Sequence, residues 1–182
     1  MDHLRDRIKY SLPNFLTLIN LSLGVIALLF VMKNDLLQAS LIVMVAALTD
    51  RFDGKTARML DCTSELGKEL DSLSDLVSFG VAPIIITWKI SFFGLPVIGC
   101  LLAVIYPIAG AYRLARYNLS TFNNVYSGVP ITIAGALLSV INLFNYYSIE
   151  HHRYNSIYTV FTAVIVILLS FLMVSKIRIQ KR

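Results

Sequence analysis

Four aspartates in an otherwise apolar stretch are the residues of this chain most able to do chemistry. Asp50, Asp53, Asp71 and Asp75 lie within or beside hydrophobic runs of segment 47–80. An aspartate near the centre of a membrane helix carries an apparent insertion penalty of roughly 2.5 to 3.5 kcal/mol, which falls toward the interface. Four of them require a compensating partner, and we interpret the group as a functional site.

The ligand chemistry of these side chains predicts the partner. Converging carboxylates repel one another unless cations neutralise them. Oxygen ligands without a nearby histidine or cysteine favour magnesium or manganese over zinc. Two such ions suit transfer at a phosphate, because they neutralise its charge and stabilise the leaving oxygen. The sequence therefore predicts a site for divalent metal, Mg²⁺ or Mn²⁺, with two ions.

The composition places these aspartates in a membrane. Of 182 residues, 57% are hydrophobic and 15% are charged, and the mean hydropathy is +0.71, which is too apolar for an ordinary soluble domain. One crossing needs roughly 20 apolar residues, so at most about six crossings fit. The net charge of +5 is interpreted as membrane topology, and no nucleic-acid partner is expected.

Hydropathy predicts an all-α integral membrane protein with six transmembrane helices in one domain that occupies the whole chain. We expect a short interfacial helix over 1–12, the six-helix bundle over 13–175 and a basic tail over 176–182. The start is not expected to be a cleavable signal peptide, because Asp2 and Asp6 interrupt its charged region. The predicted spans are Pro13–Met32, Leu36–Leu60, Leu66–Trp88, Leu95–Arg116, Val129–Ser148 and Asn155–Ser175.

The distribution of positive charge predicts the orientation. With both termini in the cytoplasm, every lysine and arginine falls on the inner side except Lys33, Lys89 and Arg153. Because inner loops carry the excess of positive residues, this orientation is favoured. We therefore expect a multi-pass protein of the cell (cytoplasmic) membrane whose active site faces the cytoplasm.

Helical geometry predicts that the aspartates meet. At about 100° per residue, Asp50 and Asp53 share one face of the second helix, and Asp71 and Asp75 share one face of the third. The short connection between the helices makes them an antiparallel hairpin. Asp50 should therefore face Asp75, and Asp53 should face Asp71, in the cytoplasmic half of the bundle.

Small residues and an arginine accompany these faces. Gly54, Ala57 and Gly67 leave space for a bulky ligand, and Arg58 offers a fork of donors to a phosphate. Each has a simpler interpretation as well. Small residues in membrane helices commonly serve helix packing, and an arginine beside a span is an ordinary cytoplasmic flank.

Together these residues form a pattern with fixed spacing: Asp50-x-x-Asp53-Gly54-x-x-Ala57-Arg58, then after eight residues Gly67-x-x-x-Asp71-x-x-x-Asp75. The pattern resembles the complete signature of the CDP-alcohol phosphotransferases. That resemblance implies displacement of CMP from a CDP-linked alcohol by a second alcohol, and it implies a homodimer. It assigns metal binding to Asp50, Asp53, Asp71 and Asp75, general-base catalysis to Asp75, and CDP binding to Gly54, Ala57, Arg58 and Gly67.

Further segments resemble the bacterial and archaeal phosphatidylserine synthases over about residues 12 to 135. They are 13–24, 71–83, 113–118 and 127–130. This resemblance implies a CDP-diacylglycerol–serine O-phosphatidyltransferase of phospholipid synthesis, which acts on CDP-diacylglycerol and L-serine among membrane lipids.

Two smaller groups of polar residues are candidates for substrate binding. Asn14 and Thr17 are candidate CDP contacts, although a helix cap and helix packing explain them equally well. We hypothesise that Arg113, Arg116 and Asn118 bind the serine carboxylate or the lipid phosphate. The alternative for these three is positive-inside flanking.

Two alternatives remain open at the level of sequence. The same chemistry could use another acceptor such as glycerol 3-phosphate, because two nearby arginines could equally hold a phosphate. A divalent-cation channel or carrier is the alternative of another class, since intramembrane acidic residues also mark ion pathways. We disfavour it because the outer halves of the predicted helices offer no polar string to match the inner carboxylates.

Overall fold

The computed structural model of the chain is a bundle of long helices. It describes the backbone of residues 2–60, 65–119, 126–175 and 178–179, and the side chains of 14–51, 65–119 and 128–175. Within these residues the helices are α1 Asp2–Met32, α2 Leu36–Leu60, α3 Glu65–Phe92, α4 Pro96–Leu119, α5 Ile131–Glu150 and α6 Ser156–Val174. The strands are β1 Tyr126–Ser127 and β2 Arg178–Ile179.

Five helices are long and apolar enough to cross a membrane. They are α1 over Asn14–Met32 and the whole of α3, α4, α5 and α6. The sixth predicted span is α2, which has the predicted bounds, although its described side chains end at Arg51. By helix length and composition the chain is therefore a multi-pass membrane protein.

Two details differ from the sequence prediction. The segment predicted as a short interfacial helix is helical, but it is continuous with the first span, since one helix runs from Asp2 to Met32. Pro13 removes one backbone donor, which a helix can tolerate when its other hydrogen bonds are kept. The purely α class also omits a short antiparallel pairing, in which Tyr126 lies opposite Ile179. Strands of two residues are too short to leave a hydropathy period.

Short polar turns join the helices at one end of the bundle. Asn34 adopts a positive φ of 60°, a conformation that asparagine tolerates better than most residues. At the start of α2, the carboxylate of Asp35 accepts a hydrogen bond from the backbone N–H of Gln38 at 3.3 Å. Asn155 caps α6 in the same way through the N–H of Ile157. These caps satisfy backbone donors that a helix start leaves unpaired.

α3 is the central helix. Of its most apolar stretch 61% is buried, whereas the corresponding share is 28% for α1 and for α6. It is π-helical over Leu76–Val81 and Trp88–Phe92. Pro83 lies between these segments and offers no N–H to the turn before it. The hydroxyl of the buried Tyr106 of α4 donates to the carbonyl of Phe79 in that turn at 3.4 Å.

Glycine lets α5 approach α3 closely. A Cβ at Gly135 would lie 2.7 Å from the carbonyl oxygen of Phe79 and 2.8 Å from its Cα. These are backbone atoms, which cannot turn aside as a flexible side chain can. α5 therefore packs directly against the backbone of α3, where it supports the segment that follows the aspartates.

A buried polar network joins α3, α5 and α6 away from the carboxylates. The amide of Asn142 donates to the carbonyl of Pro83 at 3.0 Å and accepts from Thr87 at 2.8 Å. One turn on, the amide of Asn145 donates to Ser91 and Thr162. This network lies in the halves of these helices that were expected to be outer. These groups are uncharged, and they bond chiefly to one another.

Candidate metal centre

The centre forms where α2 and α3 pack against each other. Asp71 and Asp75 are four residues apart on α3 and so share a face, and Asp50 comes from α2. One carboxylate oxygen from each of the three lies within 4.8 Å of the others. As the hairpin geometry predicts, Asp50 contacts Asp75, and Thr132 of α5 lies beside it.

The charges and spacing of this cluster fit a divalent cation. Metal–oxygen distances of about 2.0 to 2.6 Å place ligands on opposite sides of a cation about 4 to 5 Å apart, which matches the cluster. Asp75 is only 8% exposed, so its charge is poorly solvated by water. Arg113 interacts electrostatically with Asp75 and contributes one positive charge beside these three carboxylates. Asp50, Asp71 and Asp75 could therefore hold a metal ion.

Four of the predicted residues lie in the last turns of α2, whose backbone is helical. Their side chains are outside the described residues, and so is the predicted contact between Asp53 and Asp71. They are Asp53, Gly54, Ala57 and Arg58. Their roles as metal and CDP ligands remain predictions.

Three further predicted residues lie on the helices that form the centre. Thr17 of α1 is buried, and its carbonyl accepts a hydrogen bond from the hydroxyl of Ser74 at 3.0 Å. This contact places Thr17 beside the residue that precedes Asp75. Asn14 lies one turn earlier on α1 and is half-buried, and Gly67 is half-buried one turn before Asp71.

The structure separates the three predicted acceptor residues. Arg113 is buried at 8% exposure and interacts with Asp75, so it belongs to the centre. Arg116 instead donates to the carbonyls of Val174 and Ser175 at 2.8 and 3.1 Å. These carbonyls lie at the C-terminal end of α6, where a cationic side chain is favourable.

Asn118 ties the end of α4 to the start of α3. Its amide donates to Glu69 at 3.2 Å and to Ser72 at 3.0 Å. Its backbone carbonyl accepts from the ammonium of Lys68 at 2.9 Å. The contacts of Arg116 and Asn118 thus fix the position of α4, which carries Arg113.

Two residues near the centre were missed from the sequence. Thr132 contacts Asp50 from α5, and no local pattern marks it, because the contact depends on how α5 is rotated. Asn20 is fully buried on α1, and neither polar atom of its amide has a hydrogen-bond partner in the described part of the chain. A polar amide in the middle of an apolar helix was a signal that could have identified it.

Comparison with known proteins agrees with this geometry. The family model for CDP-alcohol phosphatidyltransferase matches residues 10–180. The chain belongs to the CDP-alcohol phosphatidyltransferase family. Its carboxylate cluster, formed by Asp50, Asp71 and Asp75, therefore lies in a transferase of this family.

Bacterial proteins named as CDP-diacylglycerol–serine O-phosphatidyltransferases are similar to this CDP-alcohol phosphatidyltransferase over most of its length. The CDP-diacylglycerol–serine O-phosphatidyltransferase of Bacillus subtilis (strain 168) is 34% identical over 168 residues, which cover 92% of this chain and 88% of that protein. The protein of the same name from Helicobacter pylori (strain J99) is 35% identical over 173 residues, covering 93% and 71%.

An archaeal relative extends the comparison. The archaetidylserine synthase of Methanothermobacter thermautotrophicus is 33% identical over 142 residues, covering 76% of this chain and 60% of that protein. The predicted family, and the predicted likeness to bacterial and archaeal synthases of this type, are confirmed.

Proposed function

We propose that this protein transfers the phosphatidyl group of CDP-diacylglycerol to the hydroxyl of L-serine, giving phosphatidylserine and CMP. The observation that carries the proposal is the convergence of Asp50, Asp71 and Asp75 in the interior of a membrane bundle. The names of the relatives support serine as the acceptor.

The residues of the centre have separate roles in this reaction. Asp50, Asp53 and Asp71 hold the metal ions, and Asp75 both contributes to the metal site and acts as general base. The serine hydroxyl oxygen forms a bond to the lipid-bearing phosphorus, the bond from that phosphorus to CMP breaks, and Asp75 accepts the hydroxyl proton. Bound Mg²⁺ or Mn²⁺ ions supply charge neutralisation at the phosphate and the leaving oxygen.

Residues around the carboxylates bind the substrates. The CDP group contacts the end of α2, the start of α3 and the first helix, through Gly54, Ala57, Arg58, Gly67, Asn14 and Thr17. Arg113 binds the serine carboxylate or the lipid phosphate, because a guanidinium pairs with either through two hydrogen bonds. Arg116 and Asn118 act on the same group indirectly, since their contacts hold α4 in place.

The protein works in the cell membrane as a homodimer with both termini in the cytoplasm. The family resemblance supports the dimer, and the bias of lysine and arginine toward one side supports the orientation. The centre then opens to the cytoplasm.

Headgroup-resolved product analysis tests this proposal. Purified protein is incubated with CDP-diacylglycerol and either L-serine, glycerol 3-phosphate or inositol, with Mg²⁺ or Mn²⁺ present. We expect phosphatidylserine and an equal amount of CMP with serine alone. Formation of phosphatidylglycerophosphate instead would identify glycerol 3-phosphate as the acceptor. Absence of CMP release with every acceptor would refute the proposed transferase activity.

The channel or carrier alternative predicts metal flux in proteoliposomes without CMP release. The polar network around Asn142 does not supply the missing half of an ion path. Its members are neutral amides and hydroxyls bonded to one another, and such groups offer no charge to a dehydrated divalent cation.

A further inference from the structure

Asn20 is a buried polar group that the proposed mechanism does not use. Its side chain is fully buried, and both its amide nitrogen and its amide oxygen lack hydrogen-bond partners in the described part of the chain. Leaving a buried polar group unpaired lowers stability, and most such groups in proteins are paired. A ligand that pairs with the amide would recover this loss.

The contacts of α1 with α3 fix the level of Asn20 in the bundle. Ser74 donates to the carbonyl of Thr17 at 3.0 Å, and Ser78 donates to the carbonyl of Asn20 at 2.9 Å. The two helices therefore run side by side in the same direction. Asp75 lies between those two serines on α3, so its backbone is within about one helical turn of the level of Asn20.

The direction of the Asn20 side chain follows from its neighbour on the same face. Residues four apart share a helix face, and a Cβ on Gly24 would meet the hydroxyl and the Cα of Ser78. One turn earlier on both helices, the Cβ of Asn20 faces the level of Ser74 and Asp75. Helix side chains also lean toward their own N-terminus, which on α1 is the direction of that same level.

We propose that Asn20 is a ligand-binding residue at the inner end of the metal centre. Its amide oxygen accepts a hydrogen bond from water on the divalent cation, or its amide nitrogen donates to a phosphate oxygen that the cation holds. A primary amide can do both. The inference rests on the proposed function, because it takes the ligand to be the metal and phosphate of that reaction.

Thermal unfolding of detergent-solubilised protein tests the proposal with Asn20→Leu and a matched control, Asn142→Leu. Both asparagines are fully buried, but Asn142 bonds to Thr87 and to the carbonyl of Pro83. Without ligand, Asn20→Leu should raise Tm, because it removes an unpaired amide. Asn142→Leu should lower Tm, because it removes two buried hydrogen bonds between α5 and α3.

In ligand binding, Asn20→Leu should be the impaired variant. In titrations with Mn²⁺ alone and with Mn²⁺ plus CMP, Asn20→Leu should weaken binding by about tenfold or more, the size expected for one hydrogen bond to a charged group. Asn142→Leu should bind both like the unchanged protein. A loss with Mn²⁺ alone identifies the hydrated cation as the partner, and a loss only with CMP identifies the phosphate.

A second variant keeps the test independent of folding. Asn20→Asp retains an acceptor and loses the donor, so it should keep Mn²⁺ binding if the cation is the partner and lose CMP binding if the phosphate is. Unchanged binding of both ligands to Asn20→Leu and Asn20→Asp would overturn the inference. Failure of the unchanged protein to bind Mn²⁺ would count against the proposed function instead.

Discussion

At the scale of single residues, Asp75 is the group on which the proposed chemistry depends most. Asp75→Asn keeps the size of the side chain and removes its charge and its ability to take a proton. We expect the rate of CMP release to fall by about 10²- to 10⁴-fold. Metal-free Asp75→Asn should also have a higher Tm than the unchanged protein, because one of three mutually repelling carboxylates is gone.

Asp35→Asn is the matched control for this prediction. Asp35 caps α2 at the opposite end of the bundle, and asparagine caps a helix as well as aspartate does. Its activity should stay within about twofold of the unchanged protein, as for surface changes in general. Full activity of Asp75→Asn would contradict the assignment of the base.

The two arginines of α4 should respond differently to the same substitution. Arg113→Gln removes a buried cation that interacts with Asp75, so kcat/KM for serine should fall by about 10- to 100-fold, the value of a hydrogen bond to a charged group. Arg116→Gln loses contacts with the end of α6 and should lower Tm more than kcat/KM. Steady-state kinetics and thermal unfolding of both variants measure this, and equal kinetic effects would contradict it.

Among the helices, the close approach of α5 to α3 should contribute measurably to thermal stability. Gly135→Ala places a methyl group 2.7 Å from a backbone oxygen of Phe79, which forces the helices apart. Overpacking of this kind costs about 1 to 3 kcal/mol, so Tm should fall clearly. Gly94→Ala is the control, because no atom of the described residues beyond its chain neighbours lies within 4 Å of the added Cβ. An equal fall of Tm in both variants would rule out the packing argument.

The elements also show what the sequence could and could not predict. Helix bounds were predictable because apolar runs ended at charged or turn residues, and the contact of Asp50 with Asp75 followed from the rigid geometry of a hairpin. The contact of Thr132 with Asp50 was not predictable, because it depends on the rotation of α5. The different contacts of Arg113 and Arg116 were not predictable either, because in the sequence both are equally consistent with cytoplasmic flanking residues.

At the scale of the whole molecule, the proposed orientation predicts which side of the membrane each turn reaches. In a variant without Cys62 and Cys100, single cysteines are introduced as Glu65→Cys and His151→Cys. Both positions are exposed and lie at opposite ends of the bundle. A membrane-impermeant thiol reagent should label only His151→Cys in intact cells, and both after the membrane is opened. Labelling of Glu65→Cys alone in intact cells would show the opposite orientation, with the carboxylates nearer the outer side of the membrane.

We propose that the cluster of Asp50, Asp71 and Asp75 holds the cations that CMP release requires. The most direct measurement strips the purified protein of metal and then titrates Mn²⁺. Bound manganese is followed by electron paramagnetic resonance, and CMP release from CDP-diacylglycerol and L-serine is followed in the same samples. We expect no release from stripped protein, recovery in step with bound Mn²⁺, and loss of both in Asp71→Asn. Release that persists without metal, or unchanged manganese binding in Asp71→Asn, would contradict the claim.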